Sequence, residues 1–368
     1  LACFSKDCCN FVQKKVLRVY YYHSFNPQWA HAQWQAGKLP AHLLYGACHL
    51  KDEGIDVIFH NIGHVKHRWS LSLDTAWKLI CHYRQYDAVY ATTFRGLELI
   101  VFLRALGLFR KPIICWHHQP IVKAKSRLRE SIAKLFYRGF DELIFFSQAI
   151  IDQSLKSVKA PVGHMHIVHW GPDLDFYNKI LQETKTSKHE GFISTGKERR
   201  DMPTLVEAFR QTNAPLDIYI CRQSNGINYE QLLGSLAKGS NTHIHYIQGN
   251  KIKEMAECVS KSQCAVICCQ ETNYTVGLTT VVEALALGIP MICSRNPQMP
   301  IDIEREGCGL TVPYRDVNAW TRAIQYIKGH PDEARQMGLR GKAIAEKKYN
   351  DAICAHEIAI IIRKYERK

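Results

Sequence analysis

A chain of 368 residues is longer than one hydrophobic core usually sustains, so two domains of similar size are expected. Hydrophobic residues at 46% and charged residues at 22% exclude a disordered chain. No run approaches the ~20 apolar residues of a membrane-spanning helix; the longest candidate, Leu97 to Phe109, is interrupted by Arg104. The net charge of +14 is uneven: residues 1–180 carry 23 Lys and Arg against 13 Asp and Glu, and residues 181–368 carry 25 against 21. The surplus in the first half favours an anionic partner: nucleic acid, an anionic membrane or a phosphorylated substrate.

Leu1 to Lys15 lacks the basic start and long apolar run of a signal peptide, and the first residue is not Met, so the sequence leaves the native start open. The 14 cysteines form no C-x-x-C pair, and Cys264, Cys268 and Cys269 share one apolar run. That distribution predicts a reduced, cytoplasmic protein rather than a disulfide scaffold or a zinc module.

Short β-rich runs alternate with helical stretches, which predicts α/β architecture with parallel sheets. Val16–Tyr22 reads as the first strand, Leu39–Glu53 as a helix ending at Gly54, and Asp56–His60 as the next strand. Tyr86–Thr92, Lys111–His117 and Asp141–Ser147 continue the strands. His169–Lys179 reads as a loop and the polar run Gln182–Glu190 as a linker. A second series follows at Gly191–Gly196, Leu216–Cys221, His243–Ile247, Cys264–Cys269, Pro290–Cys293 and Gly309–Pro313, with a largely helical end from Val317. The expected domains are 1–178 and 179–350, with 351–368 a terminal helix packing back toward the first domain.

The stretch Cys264–Ser294 reads as strand, loop, helix, Gly stop and strand. Gly277 permits close approach of a ligand to the backbone, and either Thr279 or Thr280 is expected to cap the helix. A helix N-terminus with free amides is a ready phosphate site, and Glu283 lies near its first turn. Gly288 ends the helix and Pro290 opens the next strand.

The run GLTTVVEALALGIPMI resembles the donor-site signature of glycosyltransferase family 4 (glycosyl transferases group 1) and its GT-B relatives. IDIEREGCGLTVPYRDVNAWTRAI, FISTGKERRDMPTLVEAF, IVHWGPDLDFY and DELIFFSQAIIDQSL are similar to other elements of that family, in the expected order. The resemblance implies a GT-B fold: two Rossmann-like α/β domains whose parallel sheets face across a cleft, the first binding acceptor and the second a nucleotide-sugar donor. It implies a hexosyl- or glycosyltransferase that moves a sugar from a nucleotide-diphosphate sugar, UDP-linked before GDP-linked, to a glycan or lipid-linked acceptor. Cell-surface polysaccharide, lipopolysaccharide or glycolipid synthesis is the implied setting, with retained anomeric configuration. No cofactor or metal is implied beyond the donor substrate, and no D-x-D-like acidic motif is evident.

By the same resemblance, Gly196, Gly277, Leu278, Thr279, Thr280 and Glu283 are expected to bind the donor, and His118, Lys197 and Arg200 to serve catalysis. His117 is the alternative to His118, since both follow the strand in PIICWHHQP. Two departures stand out. The family has two glutamates eight residues apart here; Glu283 matches the second, Thr275 stands at the first, and Glu271 is out of register. Its basic pair runs Arg then Lys, whereas here Lys197 precedes Arg200.

Trp29 and Trp34, in the long loop after the first strand, suit sugar rings of an acceptor. Ile121–Phe140 reads as a basic amphipathic helix, in which Lys123, Lys125, Arg127 and Arg129 are expected to meet acceptor or the inner face of an anionic membrane. Packing of that helix on its own domain is the competing reading. A dinucleotide oxidoreductase would need G-x-G-x-x-G after the first strand, which is absent. A nucleic-acid-binding protein would interleave aromatic and basic residues, whereas the charges here concentrate in one stretch, and no nucleic-acid partner is expected. A GT-B protein that binds nucleotide sugar without transferring it remains the other reading, on account of Thr275.

Overall fold

Continuous apolar runs, rather than alternating ones, mark strands buried on both faces, the habit of parallel sheets. The computed structural model of the chain describes residues 16–63, 67–185, 189–196, 198–224, 226–249 and 251–366, and carries two such sheets. The first is built from β1 (Leu17–Tyr22), α1 (Pro27–Gln35), β2 (Ile55–Phe59), α2 (Arg68–Cys81), β3 (Ala88–Ala91), α3 (Glu98–Ala105), β4 (Ile113–Trp116), α4 (Arg127–Tyr137), β5 (Glu142–Phe145), α5 (Gln148–Leu155) and β6 (Met165–Ile167). Its six strands are all parallel, in the order β2-β1-β3-β4-β5-β6.

After α6 (Leu174–Glu183) the second unit follows: β7 (Phe192–Thr195), α7 (Met202–Thr212), β8 (Leu216–Ile220), the short hairpin β9 (Gln223–Ser224) and β10 (Ile227–Asn228), α8 (Tyr229–Leu236), β11 (Thr242–Tyr246) and α9 (Ile252–Ser260). It continues with β12 (Cys264–Ile267), α10 (Leu278–Leu287), β13 (Met291–Ser294), β14 (Gly309–Val312), α11 (Val317–Gly329) and α12 (Pro331–Lys347), and the chain closes with α13 (Asp351–Arg363). The second six-stranded sheet is also parallel, in the order β11-β8-β7-β12-β13-β14. In each sheet the order reverses once, between β1 and β3 and between β7 and β12. Such a reversal opens a crevice at the carboxyl ends of the strands, where ligands bind in open α/β sheets.

Three expectations give way. Leu39–Glu53 is not an α-helix but a single 3-10 turn at Ala41–Leu44 followed by turns. Tyr45 and Gly46 both have positive φ, and a Cβ on Gly46 would stand 2.9 Å from the Ala355 backbone. Close packing of α13 against this segment overrides its helical spacing. His169–Lys179 is not all loop: Asp173 Oδ1 accepts from the Phe176 N–H at 2.9 Å and starts α6 there. The boundary expected at 178/179 therefore falls inside α6, whose Phe176, Tyr177 and Ile180 belong to the second core. Ile121–Phe140 is helical only from Arg127, after a Ser126 cap, so Lys123 and Lys125 lie in the preceding loop.

The chain crosses between units twice, side by side. A Cβ on Gly171 would collide with the Tyr349 carbonyl group at about 2 Å, and the Asp351 N–H donates to Pro172 O at 3.1 Å. Beyond the second crossing α13 lies on the first unit. Asp351 pairs with His49 at 3.0 Å, Arg363 with Glu53 at 3.0 Å and Lys364 with Glu142 at 3.1 Å, and Cys354, Ile358 and Ile362 enter the first core.

Candidate functional site: the crevice between the two sheets

The reversal point of the second sheet brings together the residues after β7 and after β12. Arg200 and Cys269 form a backbone bridge between those two loops. Gly277, with φ +89°, turns the chain from the second loop into α10 and is itself the N-cap. A Cβ there would lie 2.8 Å from Ile267 Cγ2 and 3.3 Å from Cys269 Sγ, so only glycine fits. No side chain caps the helix, which corrects the expectation that Thr279 or Thr280 would do so. The Leu278 N–H reaches back to Thr275 O at 3.2 Å. The next two amides, of Thr279 and Thr280, have no acceptor within the helix and carry its positive dipole end.

Arg200 is buried at 4% exposure. Its Nε and Nη2 donate to Thr195 O at 3.1 and 3.0 Å, and Nη2 also donates to Thr280 Oγ1 at 3.0 Å. Nη1 donates to Cys269 Sγ at 3.0 Å and to Glu198 O at 3.3 Å. All five guanidinium N–H groups are thus engaged. The side chain ties the end of β7, the following turn, the end of β12 and the start of α10 into one rigid frame. It is neither a solvated charge nor an open phosphate hand. Gly196, at φ +92°, makes room for it: a Cβ there would stand 2.3 Å from Nη2. Lys197 lies outside the described residues.

Glu283 sits one turn further along α10 and is buried, as is every α10 residue except Thr279. Desolvation pushes its carboxyl up from 4.5 to about 8. Gly196, Glu198, Arg200, Gly277, Thr279, Thr280 and Glu283 line one cavity of about 730 Å³. Pro40, His42 and Leu43 of the first unit close its other side, and Ile220, Gln223, Ile247 and Lys251 extend it along the ends of β8 and β11. Leu278 instead packs, with Val282, into the first unit's core.

Glu198 and Lys251 escaped the sequence reading. Glu198 accepts from Tyr274 Oη at 2.8 Å. Position alone could have pointed to both, since each follows a strand on the carboxyl side of the sheet. Thr275 is buried beside Gly277, and Glu271 lines a different pocket with Thr272, Asn273 and Arg295.

In the first unit the two histidines after β4 part company. His117 has both nitrogens engaged, Nδ1 with Gln119 O at 2.6 Å and Nε2 with Tyr137 Oη at 2.8 Å, so it is a packing residue. His118 stacks on Tyr45 at 5.7 Å and 16°, and its Nε2 is buried without a partner. Burial lowers it to about 4 and lowers neighbouring His23 to about 3, so both are neutral. Tyr45 in turn lies within electrostatic reach of Glu198 across the crevice. Trp34 stands apart, edge-on to His49 at 5.8 Å and lining two cavities that the donor-side residues do not share. Trp29 is half exposed on α1. Lys123, Lys125, Arg127 and Arg129 are all exposed, away from the Gly277 cavity lining.

Residues 175–343 match the family described as Glycosyl transferases group 1. The MMP alpha-(1->4)-mannosyltransferase of Mycolicibacterium hassiacum is 23% identical over 256 residues, covering 67% of this chain and 59% of that protein. Sucrose-phosphate synthase from Thermosynechococcus elongatus superposes with a TM-score of 0.72 at 17% identity, covering 95% of this chain and 98% of its own. Anabaena HepE, solved in complex with UDP, superposes with a TM-score of 0.65 at 12% identity, covering 95% and 100%. At these identities the structural likeness is one of fold. The chain has the GT-B fold, and its second unit, over residues 175–343, is similar to the group 1 glycosyltransferases.

Proposed function

We propose that this chain is a glycosyltransferase that binds a nucleoside-diphosphate sugar in the Gly277 cavity and transfers the sugar to a hydroxyl of a glycan or lipid-linked acceptor seated on the first unit. The observation that carries this reading is the convergence of the Gly277 turn, the uncapped α10 N-terminus and the Arg200 frame on one cavity between the units. Breaking the sugar–phosphate bond leaves negative charge on the departing diphosphate. Fixed amides aimed there, with a buried guanidinium behind them, lower the barrier without reorganising. The amides of Thr279 and Thr280 take the phosphate oxygens, and Arg200 holds those amides in place while lending its charge. Glu283 faces the donor's hydroxyls, and neutral His118 faces the transferred sugar from the opposite wall. A UDP-sugar is the favoured donor, supported by the HepE structures with UDP and UDP-glucose. Transfer proceeds with retained configuration and without a metal ion in this reading.

A second reading, binding without transfer, is favoured by one observation: Thr275 stands where the resemblance puts a carboxylate, and Glu271 faces another pocket. Calorimetric titration with UDP and GDP, followed by release of UDP from UDP-sugars in the presence of glycan and lipid-linked acceptors, separates the two. Nucleotide binding with no release under any pairing leaves the second reading. Absence of binding to either nucleotide overturns both.

A further inference from the structure

Surface helices normally turn apolar residues inward and polar ones outward. α2 does the reverse. Its inward positions are the small or polar Ser72, Thr75 and Ala76, with Leu79. Its outward row is Trp69, Leu73, Trp77 and Ile80, at 84, 60, 68 and 50% exposure. The spacing of four, four and three residues makes one continuous stripe about 17 Å long. Single exposed apolar side chains need no explanation, whereas a contiguous row with two tryptophans does.

The neighbouring surface is cationic. The steps from β2 to β3, β3 to β4 and β4 to β5 run in the same direction across the sheet, so right-handed crossovers place α2, α3 and α4 on one side of it. Arg68 pairs with Glu98 at 2.6 Å between α2 and α3, and Phe102 meets Phe136 at 5.3 Å between α3 and α4. No side chain of α4 is fully buried, and its Leu128 and Ile132 are 72 and 48% exposed. The stretch from Lys123 to Arg138 holds six Lys and Arg and one acid, Glu130, which is already bonded to Lys159 at 3.0 Å and to the Ala124 N–H at 2.6 Å. On α2 the one acid, Asp74, is paired with Lys78 at 2.7 Å. The face therefore offers tryptophans, aliphatic side chains and cations, with both of these carboxylates already neutralised by a cation.

We propose that the outward faces of α2 and of the α4 segment form one docking surface for an anionic lipid bilayer. The helices lie along the interface, with Trp69 and Trp77 at the level of the headgroups and Lys123, Lys125, Arg127 and Arg129 against lipid phosphates. Among the described residues no helix is long and apolar enough to cross a membrane, so the contact is a surface one. The inference stands apart from the proposed transfer reaction, because none of these side chains lines the Gly277 cavity.

The test is flotation of the full chain with phosphatidylcholine vesicles and with vesicles of equal parts phosphatidylcholine and phosphatidylglycerol. At low salt the chain floats with the phosphatidylglycerol vesicles only, and added salt releases it. The double variant Trp69→Ser/Trp77→Ser, exposed and expected to fold, loses at least about tenfold in bound fraction. Lys125→Glu/Arg129→Glu loses a similar factor. Circular dichroism melts confirm that both variants fold. Failure of the wild-type chain to float, or wild-type binding by the tryptophan variant, overturns the proposal. Self-association without lipid that disappears in the tryptophan variant also overturns it, by making the stripe a protein interface.

Discussion

The two crevice edges each lie at the single reversal of a six-stranded parallel sheet, and their chemistry is opposite. In the first unit the ends of β1 and β4 present neutral histidines, His23 and His118, with the Tyr45 ring from the turn after Leu44 stacked on His118, whose Nε2 is unpaired. In the second they present glycine turns, free amides and a buried arginine whose five donors are all in use. Parallel α/β topology supplies a place for a ligand, and the side chains decide its kind. An uncharged, ring-lined wall suits a sugar, whereas a wall of backbone donors around a fixed charge suits phosphate. The contrast extends to pH. His23 and His42 are lowered by burial from 6.5 to about 3, and His117 and His118 to about 4, so the stability they contribute is lost as pH falls from 6.5 toward those values. Glu283 is raised, so its contribution is lost as pH rises from 4.5 toward about 8.

The sharpest way to break this comparison is Arg200→Ala. Several charge-assisted bonds disappear and buried acceptors are orphaned, so nucleotide affinity should fall at least about 100-fold and stability by about 3 kcal/mol or more. Titration calorimetry and denaturant melts read both, and undiminished UDP affinity would show that the second edge is not a phosphate site. Arg200→Lys should recover little, because one ammonium cannot span four acceptors in a planar fork.

Gly277→Ala comes next. Positive φ and contact with Ile267 cost about 1–3 kcal/mol, and the shifted turn should weaken nucleotide binding about tenfold. A wild-type melting temperature would mean the turn is looser than its geometry.

Glu283→Gln sharpens the electrostatic half. The wild-type chain should lose up to about 1.4 kcal/mol per pH unit as pH rises between 4.5 and about 8, and the variant should not. Parallel pH curves for the two proteins would remove the buried acid as the cause.

The smallest effect on nucleotide binding is expected for His118→Phe. Its ring stacks on Tyr45, Nε2 has no partner, and only the bond to the Thr92 backbone is lost, so stability should fall by about 1 kcal/mol and UDP affinity hardly at all. Transfer should nevertheless fall about 100-fold. Full turnover would place the sugar away from the first wall.

The alternation of apolar strands with Gly-punctuated helices made both sheets legible, because a parallel strand buried on two faces must be apolar throughout. The Gly277–Gly288 frame of α10 was legible for a similar reason, since each glycine marks a left-handed bend. What escaped depended on contacts distant in sequence. Leu39–Glu53 has helical spacing, yet α13, some 300 residues on, presses against Gly46 and holds it in turns. The partners that bury Arg200 come from β7, β12 and α10, which no local pattern unites. The α2 stripe was written plainly at helical spacing in Trp69, Leu73, Trp77 and Ile80. Its neighbours Ser72 and Ala76 look like the weaker face, so the pattern suggests burial of the wrong side.

The paired crossings at Gly171–Asp173 and Tyr349–Asp351 fix how the molecule can be cut and how it can move. Because Cys354, Ile358 and Ile362 of α13 belong to the first core, a fragment ending near residue 178 would lack part of that core, and a viable first unit must carry residues 351–366 as well. With two adjacent backbone segments as the covalent link, twisting one unit against the other must shear the Asp351–Pro172 bond, whereas bending about the line through both segments leaves it intact. The line through the two crossings is thus the one about which the crevice can open without breaking that bond.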